Sequence, residues 1–551
     1  MATPATAAVG VAEVDPMSEA TVVLDGESLT PENVAAVARE GAEVAITDEA
    51  REAVRVARER VEDVVESDEA VYGVNTGFGE LVDQRIPRED VAQLQTNLLR
   101  SHSAGSGDPL PAEAVRAMLL ARVNALVKGY SGVREVVADH LVTMLNEGVH
   151  PVVPRTGSLG ASGDLAPLAH ATIVLLGEGQ AEVEDERLDG ETALARAGLE
   201  PLTLGAKEGL ALINGTQLTV GLGALLVVDT ERLVRAADVA GALTTEVTLS
   251  STVPSHPAIQ AVRPHEGQAA SAANLRRLTA GSEVVDSHRN CDRVQDAYST
   301  RCLPQVHGAV RDAVAHLRAA VEVELNSATD NPLVFRRESI ADRTDQATAA
   351  ADRASGTDRA AVLSGGNFHG EPLALRLDYL TGALTELAAI AERRVDRTLN
   401  PNTQESHLPP FLTTEPGLRS GYMIAQYTAA ALVNECRAAG RPSTDNTPVS
   451  GNQEDHVSMS ATAAWGARET ADRVARVVGI ELLCGAQAAE FVDDDLAPGR
   501  GTGAAYEAVR ERVPPLDEDR PLADELAAVA ELVASGDLEA RVNAALDEPL
   551  T

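Results

Sequence analysis

Apolar residues recur along this chain mostly at helical spacing. Over residues 48–67 the pattern places Ala57, Val61, Val64 and Val65 on one face, which predicts an amphipathic helix. Thr30 followed by Pro31 reads as an N-cap and first helical residue. Residues 165–176 predict an apolar helix with Asp164 near its N-terminus. From about 209 to 493 the pattern is long and helical, with Ala-rich stretches at 305–326, 372–396 and 460–492. Helices of that length pack in bundles. Turn-rich sequence at 73–79 and 153–163 interrupts the helical pattern. Shorter helices are expected at 503–512, 522–534 and 537–546.

The pattern predicts a mainly α chain in four parts. These are a leader (1–20), a loop-rich N-terminal domain (21–208), a central helical bundle (209–500) and a helical tail (501–551). Residues 338–360 are rich in Asp, Ala, Thr and Arg and read as a surface insertion. No internal repeat is visible.

Composition narrows the function. The 551 residues are enough for a large core, but only 2% are aromatic, so that core must be Ala, Val and Leu. Acidic residues number 84 against 46 basic, a formal charge of −38. That excludes a nucleic-acid backbone as partner, which needs a basic footprint, and argues against anionic lipid. Only two lysines occur, Lys128 and Lys207; every other cationic side chain is Arg. High acidity, scarce Lys and abundant Ala resemble proteins of salt-loving organisms. Four cysteines without CxxC spacing (Cys291, Cys302, Cys436, Cys484) read as free thiols in a reducing cytoplasm. The first residues carry no basic n-region, and no apolar run reaches membrane-spanning length.

The densest candidate chemistry is Ala161-Ser162-Gly163, inside Gly-Ser-Leu-Gly-Ala-Ser-Gly-Asp-Leu-Ala-Pro-Leu-Ala-His (157–170). By itself it reads as a Gly-rich turn. A serine-hydrolase elbow needs Gly two residues on either side of the nucleophile; Gly160 satisfies this and Asp164 breaks it. A third reading is cyclisation. Gly163 has no side chain, so its nitrogen can approach the Ala161 carbonyl carbon, and loss of two waters would leave a five-membered ring with a methylidene from Ser162. Despite 12 His, there is no HExxH, Cys/His ligand spacing, Walker A sequence or Gly-rich fingerprint after a strand. No metal and no diffusible cofactor is expected.

Six further blocks accompany the triplet. They are Tyr-Gly-Val-Asn-Thr-Gly-Phe-Gly (72–79), Leu-Gln-Thr-Asn-Leu-Leu-Arg-Ser-His (94–102) and Ala-Leu-Ile-Asn-Gly-Thr (211–216), then Val-Gln-Asp-Ala-Tyr-Ser-Thr-Arg-Cys (294–302), Gly-Gly-Asn-Phe-His-Gly-Glu (365–371) and Asn-Gln-Glu-Asp-His-Val-Ser-Met (452–459). In kind and order they resemble the aromatic amino-acid ammonia-lyases that carry a methylidene-imidazolone (MIO) group. Ser101-His102 and Glu454 look like the histidine-selective branch: a His and a carboxylate suit an imidazole, and an unpaired buried carboxylate against a phenyl ring would be costly.

The resemblance implies a helical bundle of the aromatic ammonia-lyase and fumarase–aspartase type. It also implies a homotetramer with active sites built from more than one subunit. The implied reaction converts L-histidine to trans-urocanate and ammonia, the first step of histidine degradation toward glutamate. Ala161, Ser162 and Gly163 would form the MIO electrophile. Tyr72 would take the β-proton, and its phenol, normally near pKa 10, would have to be made more acidic. Tyr298 would orient the ring or assist proton transfer. Arg301 would pair with the substrate carboxylate through its planar fork. Asn214 would bond that carboxylate or the ring carbonyl, with Gln295 in the same network. Phe368 would wall the pocket, and His102 and Glu454 would hold the imidazole; His456 reads as structural. Two rivals stay open: a phenylalanine or tyrosine lyase or aminomutase on the same scaffold, and a catalytically silent helical oligomer.

The charge generates a prediction of its own. In molar salt the Debye length falls to about 3 Å, which screens surface self-repulsion. Folding or assembly should therefore need molar potassium chloride. Circular dichroism and sizing across a salt series check this, and full stability in dilute buffer would sink it.

Overall fold

The computed structural model describes residues 21–67, 71, 73–74, 86–289, 293–341, 355–444 and 446–551. The 1–20 leader, Tyr72, Cys291 and residues 342–354 of the 338–360 segment lie outside the described residues.

Four long helices form the centre: Gln217–Val247, Leu303–Leu325, Glu371–Leu399 and Ser460–Ala489. They pack on one another, most extensively Glu371–Leu399 against Ser460–Ala489. The Gln217–Val247 helix is buried without a break from Gln217 to Val227. A helix apolar on every side belongs inside the core. The Ala112–Val127 helix, buried from Ala114 to Val127, packs against it. The core is overwhelmingly Leu, Val and Ala, as 2% aromatic content requires.

The N-terminal part carries short ladders. Val22–Leu24 pairs in parallel with Val44–Ile46, and Ser106–Pro109 pairs antiparallel with Pro154–Thr156. Thr30 caps the Pro31–Ala35 helix, its hydroxyl accepting from the Asn33 amide at 3.2 Å. The Asp48–Glu66 helix buries Ala50, Val54, Ala57, Val61 and Val64, with Val65 partly covered beside them. The 165–176 segment splits: Leu165–Thr172 is α-helical and Ile173–Leu176 is a 3-10 turn ending on Gly177. Strand Leu333–Arg336 pairs antiparallel with Ala360–Leu363, so the far end of the polar segment is built into a sheet, with Ala360 fully buried. After the bundle come helices Arg500–Arg510, Ala523–Ser535 and Asp537–Ala545. Among the described residues, no helix is long and apolar enough to cross a membrane, and Cys302, Cys436 and Cys484 are free.

A buried polar chain ties the bundle helices together. His307 Nδ1 meets Asp238 Oδ1 at 2.7 Å, and Arg394 Nη2 donates to His307 Nε2 at 3.2 Å. Arg394 also binds Glu481, and Arg311 Nη2 donates to Asp238 Oδ2 at 2.6 Å. Since Nε2 must accept from a guanidinium, the ring is neutral and donates through Nδ1. Burial holds His307 below its ordinary 6.5, helped by the charge of Arg394. Burial pushes Asp238 up, but Arg311 and His307 together hold it well below the usual carboxylate range.

These shifts set an acid limit. Unfolded His307 would bind a proton near pH 6.5 that the folded ring refuses. Its contribution to stability is present above about pH 6.5 and lost as the pH falls, by at most about 1.4 kcal/mol per pH unit. Denaturant midpoints should fall between pH 7 and 5.5, and His307→Gln should flatten that slope while lowering stability overall. An unchanged slope in the variant would refute the assignment.

Candidate active site

Residues 157–163 form an irregular connection between strand Pro154–Thr156 and the Leu165–Thr172 helix. The starts of three bundle helices close around it. The Gly160 carbonyl accepts from Gly370 N at 3.0 Å and Ser458 Oγ at 2.9 Å. The Leu159 carbonyl accepts from Met459 N at 2.7 Å. Asp164 accepts from Thr219 N at 2.9 Å and Ser158 Oγ at 2.6 Å, and Thr219 Oγ1 lies 2.9 Å from Ser460 Oγ. The helices beginning at Gln217, Glu371 and Ser460 thus direct their N-terminal ends at one segment, and their dipoles favour negative charge there.

Asp164 occupies the N-cap position of its helix, yet its side chain makes no capping bond. The carboxylate goes instead to Ser158 and Thr219, joining segments that the sequence leaves far apart. Burial pushes its carboxyl up, against these donors, which favour the charged form.

The triplet itself is held on both sides. Asn214 Nδ2 donates to the Ser162 carbonyl at 2.8 Å, and Asp164 N donates to the Gly215 carbonyl at 2.7 Å. Gly163 sits at φ +76°, and a Cβ there would lie 2.1 Å from the Gly215 oxygen. No other residue fits. Ser162 Oγ donates to Glu454 Oε1 at 2.9 Å. Glu454 reaches it from a tight turn closed by Val449 N to the Glu454 carbonyl at 3.0 Å, with Ser450 and Asn452 both at positive φ. So Ala161, Ser162, Gly163, Asn214 and Glu454, distant in sequence, meet in one place.

The remaining candidates are placed less directly. His102 ends the Val91–His102 helix, and its Nδ1 donates to the Leu98 carbonyl at 2.9 Å. With Nδ1 so used, a neutral ring presents Nε2 as an acceptor. Gly105, three residues on, takes His170 Nε2 as its acceptor at 2.9 Å, which ties this chain end to the Leu165–Thr172 helix. Phe368 is half-buried, two residues before the Gly370 amide that binds Gly160. His456 stacks on His369 at 5.6 Å between ring centroids. Tyr72 falls outside the described residues; its neighbour Gly73 packs against Leu210 and Pro332.

Tyr298, Gln295 and Arg301 form a second group. Tyr298–Arg301 is one helical turn, and Arg301 lies over the Tyr298 ring, 5.7 Å from its centroid. Arg301 Nη1 also donates to Gln295 Oε1. Tyr298 is 73% exposed. Among the described residues, no hydrogen bond, ion pair or ring contact links this group to the triplet, Asn214 or Glu454.

The comparisons with known proteins fit this geometry. A family model for aromatic amino acid lyases matches residues 29–511. The chain belongs to that family. It is an ammonia-lyase, a carbon–nitrogen lyase. A protein of Halobacterium salinarum named probable histidine ammonia-lyase is 64% identical over 97% of this chain and 100% of its own length. The crystal structure of histidine ammonia-lyase from Trypanosoma cruzi is 40% identical, covers 96% of both chains and superposes with a TM-score of 0.85. Tyrosine aminomutase from Streptomyces globisporus is 38% identical, covering 97% of this chain and 100% of its own, with a TM-score of 0.88.

Sequence reading passed over several residues that build the site. Ser158, Thr219, Ser458 and Ser460 are small and polar, with nothing in their spacing to join them. Arg122 did leave a signal: with Asn124, it interrupts the apolar run from Ala117 to Val127. A charge inside a helix buried on all sides must have partners.

Proposed function

We propose that this chain deaminates L-histidine non-oxidatively to trans-urocanate and ammonia, using an MIO group formed from Ala161, Ser162 and Gly163. The observation that carries the reading is the 2.9 Å hydrogen bond between Ser162 Oγ and Glu454. It sets a carboxylate, able to accept an imidazole N–H, at the side chain that would become the electrophile. The residues fit the group: Gly163 tolerates no Cβ, and Asn214 already holds the Ser162 carbonyl. Once formed, the group supplies a carbon electrophile that captures the substrate's amino group and makes it a leaving group.

The chain's own residues do the rest. Glu454 accepts one imidazole N–H while His102, at the end of its helix, supplies or accepts the other ring hydrogen bond, its tautomer set by which the substrate nitrogen needs, and Phe368 closes the apolar side. Arg301 binds the substrate carboxylate as a fork, kept in orientation by Gln295 and by the Tyr298 face beneath it. Tyr72 removes the β-proton, and Tyr298 orients the ring or passes the proton on. The helix N-termini around the triplet favour the negative charge that develops there.

Tyr298 and Gln295 are exposed with Arg301 half-buried beside them, and among the described residues none of the three contacts Ser162 of its own chain. We read this as a site completed between subunits of a homotetramer in the cytoplasm. Leu375 and Tyr379, exposed on the Glu371–Leu399 helix, and Ile424 and Tyr427, exposed on the Met423–Ala438 helix, supply apolar surface for such an assembly.

Two predictions follow from this mechanism. In concentrated potassium chloride, L-histidine should yield urocanate, followed by its ultraviolet absorbance. Ser162→Ala should abolish the rate, and Glu454→Gln should lower kcat/KM about 100-fold or more, as expected for losing a charged partner of a buried polar group. Near-normal turnover in Glu454→Gln, or turnover of phenylalanine or tyrosine instead, would move the specificity to the sister reading; inactivity on all three would favour the silent oligomer. The second concerns assembly. Ser162→Ala and Arg301→Ala subunits, each inactive alone, should regain part of the activity when refolded together, because mixed tetramers contain some intact sites. No recovery in mixed tetramers would place each site within one chain.

A further inference from the structure

We propose that Arg122 is a positioning residue for formation of the methylidene ring from Ala161, Ser162 and Gly163, acting through Asn214. The inference rests on the MIO reading above and adds a residue that touches neither substrate nor triplet.

Arg122 projects from the Ala112–Val127 helix and is fully buried. No described carboxylate forms an ion pair with it; Asp164 and Asp330 act on it only at a distance. Burial pushes its pKa down to about 10. A buried cation without an ion-pair partner is expensive, so its hydrogen bonds are what hold it there. Nη1 donates to the Ala211 carbonyl at 3.0 Å, and Nη2 donates to the Asn214 carbonyl at 2.9 Å and to Gln217 Oε1. Gln217 is fixed in turn by its Nε2 bond to Thr329 Oγ1 at 2.7 Å.

All three acceptors belong to one short connection. The Glu208–Ile213 helix ends at Asn214, which is extended (φ −90°, ψ 117°), and the Gln217–Val247 helix begins three residues later. The last carbonyls of a helix have no partner within it. Arg122 supplies one to Ala211 and Asn214 from inside the core. Gly215, at φ +141°, gives it room: a Cβ there would lie 2.7 Å from Arg122 Nη2.

The consequence reaches the triplet. The connection that Arg122 holds makes both bonds flanking Gly163, through the Asn214 side chain to the Ser162 carbonyl and through the Gly215 carbonyl to Asp164 N. Ring closure forms one bond, from Gly163 N to the Ala161 carbonyl carbon. The carbonyl oxygen leaves as water with the Gly163 and Ser162 amide protons. The second water takes the Ser162 hydroxyl and the Ser162 Cα proton, and no oxidant is needed. That Cα proton is adjacent to the carbonyl that Asn214 Nδ2 holds, so a donor fixed on this oxygen stabilises the charge as the proton leaves. Arg122 sets where that donor stands.

The test follows ring formation by intact mass, as loss of two waters, over time after refolding in molar potassium chloride. Circular dichroism and thermal midpoints report the fold separately. Arg122→Lys keeps the charge but loses the fork, and should close about 10- to 100-fold more slowly than wild type, the penalty for a misplaced group. Gln217→Met, which leaves both backbone bonds of Arg122 possible, should slow closure less while keeping the fold; it carries the test if Arg122→Lys does not fold. Asn214→Ala should slow closure at least as much, and Arg122→Lys should add nothing to it. Closure at the wild-type rate in Arg122→Lys and Gln217→Met, or losses that multiply in the double variant, would overturn the proposal. A wild-type protein that loses no water overturns the MIO reading itself, which keeps the two failures apart.

Discussion

Gly163 and Gly215 lie backbone against backbone, so close that a methyl group on Gly163 would overlap the Gly215 oxygen. The candidate centre depends on this approach. It brings the Asn214 amide to the Ser162 carbonyl and the Gly215 carbonyl to the Asp164 amide, fixing the triplet at both ends. Such an approach survives only if the surrounding framework is rigid, because nothing in an irregular segment resists displacement by itself. Buried hydrogen bonds supply the rigidity. Asp164 links Ser158 to Thr219, Thr219 meets Ser460, and Gly160 binds Ser458 and Gly370.

The bundle is what makes those bonds possible. Long helices rich in Ala and Leu pack into a core that leaves few voids, and their N-terminal ends arrive at one place. Polar groups inside are expensive unless paired. Five in the bundle satisfy one another between helices: Asp238, His307, Arg311, Arg394 and Glu481. The two lysines of this acidic chain are absorbed in the same way. Lys207 is buried against Asp330 at 2.8 Å, and Lys128 bonds Glu27 and the Gly26 carbonyl. Arg carries nearly all the basic surface, where its weaker hydration and forked donors suit exposed carboxylates.

Much of the centre was legible before any fold was known. The Ala-Ser-Gly triplet, the Asn214 block and the Glu454 block stand as contiguous strings, because the chemistry needs particular side chains beside particular backbone shapes. Tyr298 and Arg301 lie three residues apart, and one helical turn stacks them as that spacing allows. Asp164 was legible as a helix-start residue, but not as the partner of Thr219: its local role lost to a tertiary one, because burial demands that every donor nearby be satisfied.

The sequence by itself determined the helical periodicity, the aliphatic core, the acidic surface and the identity of the reactive strings. These follow from local spacing and composition, which each segment carries wherever it is placed. The tertiary structure alone decided that Glu454 meets Ser162, that Arg122 props the turn bearing Asn214, and that Asp164 meets Thr219. Those relations join residues tens to hundreds of positions apart. No local preference encodes them; they exist only once packing has fixed where each helix begins and which buried polar groups must find each other.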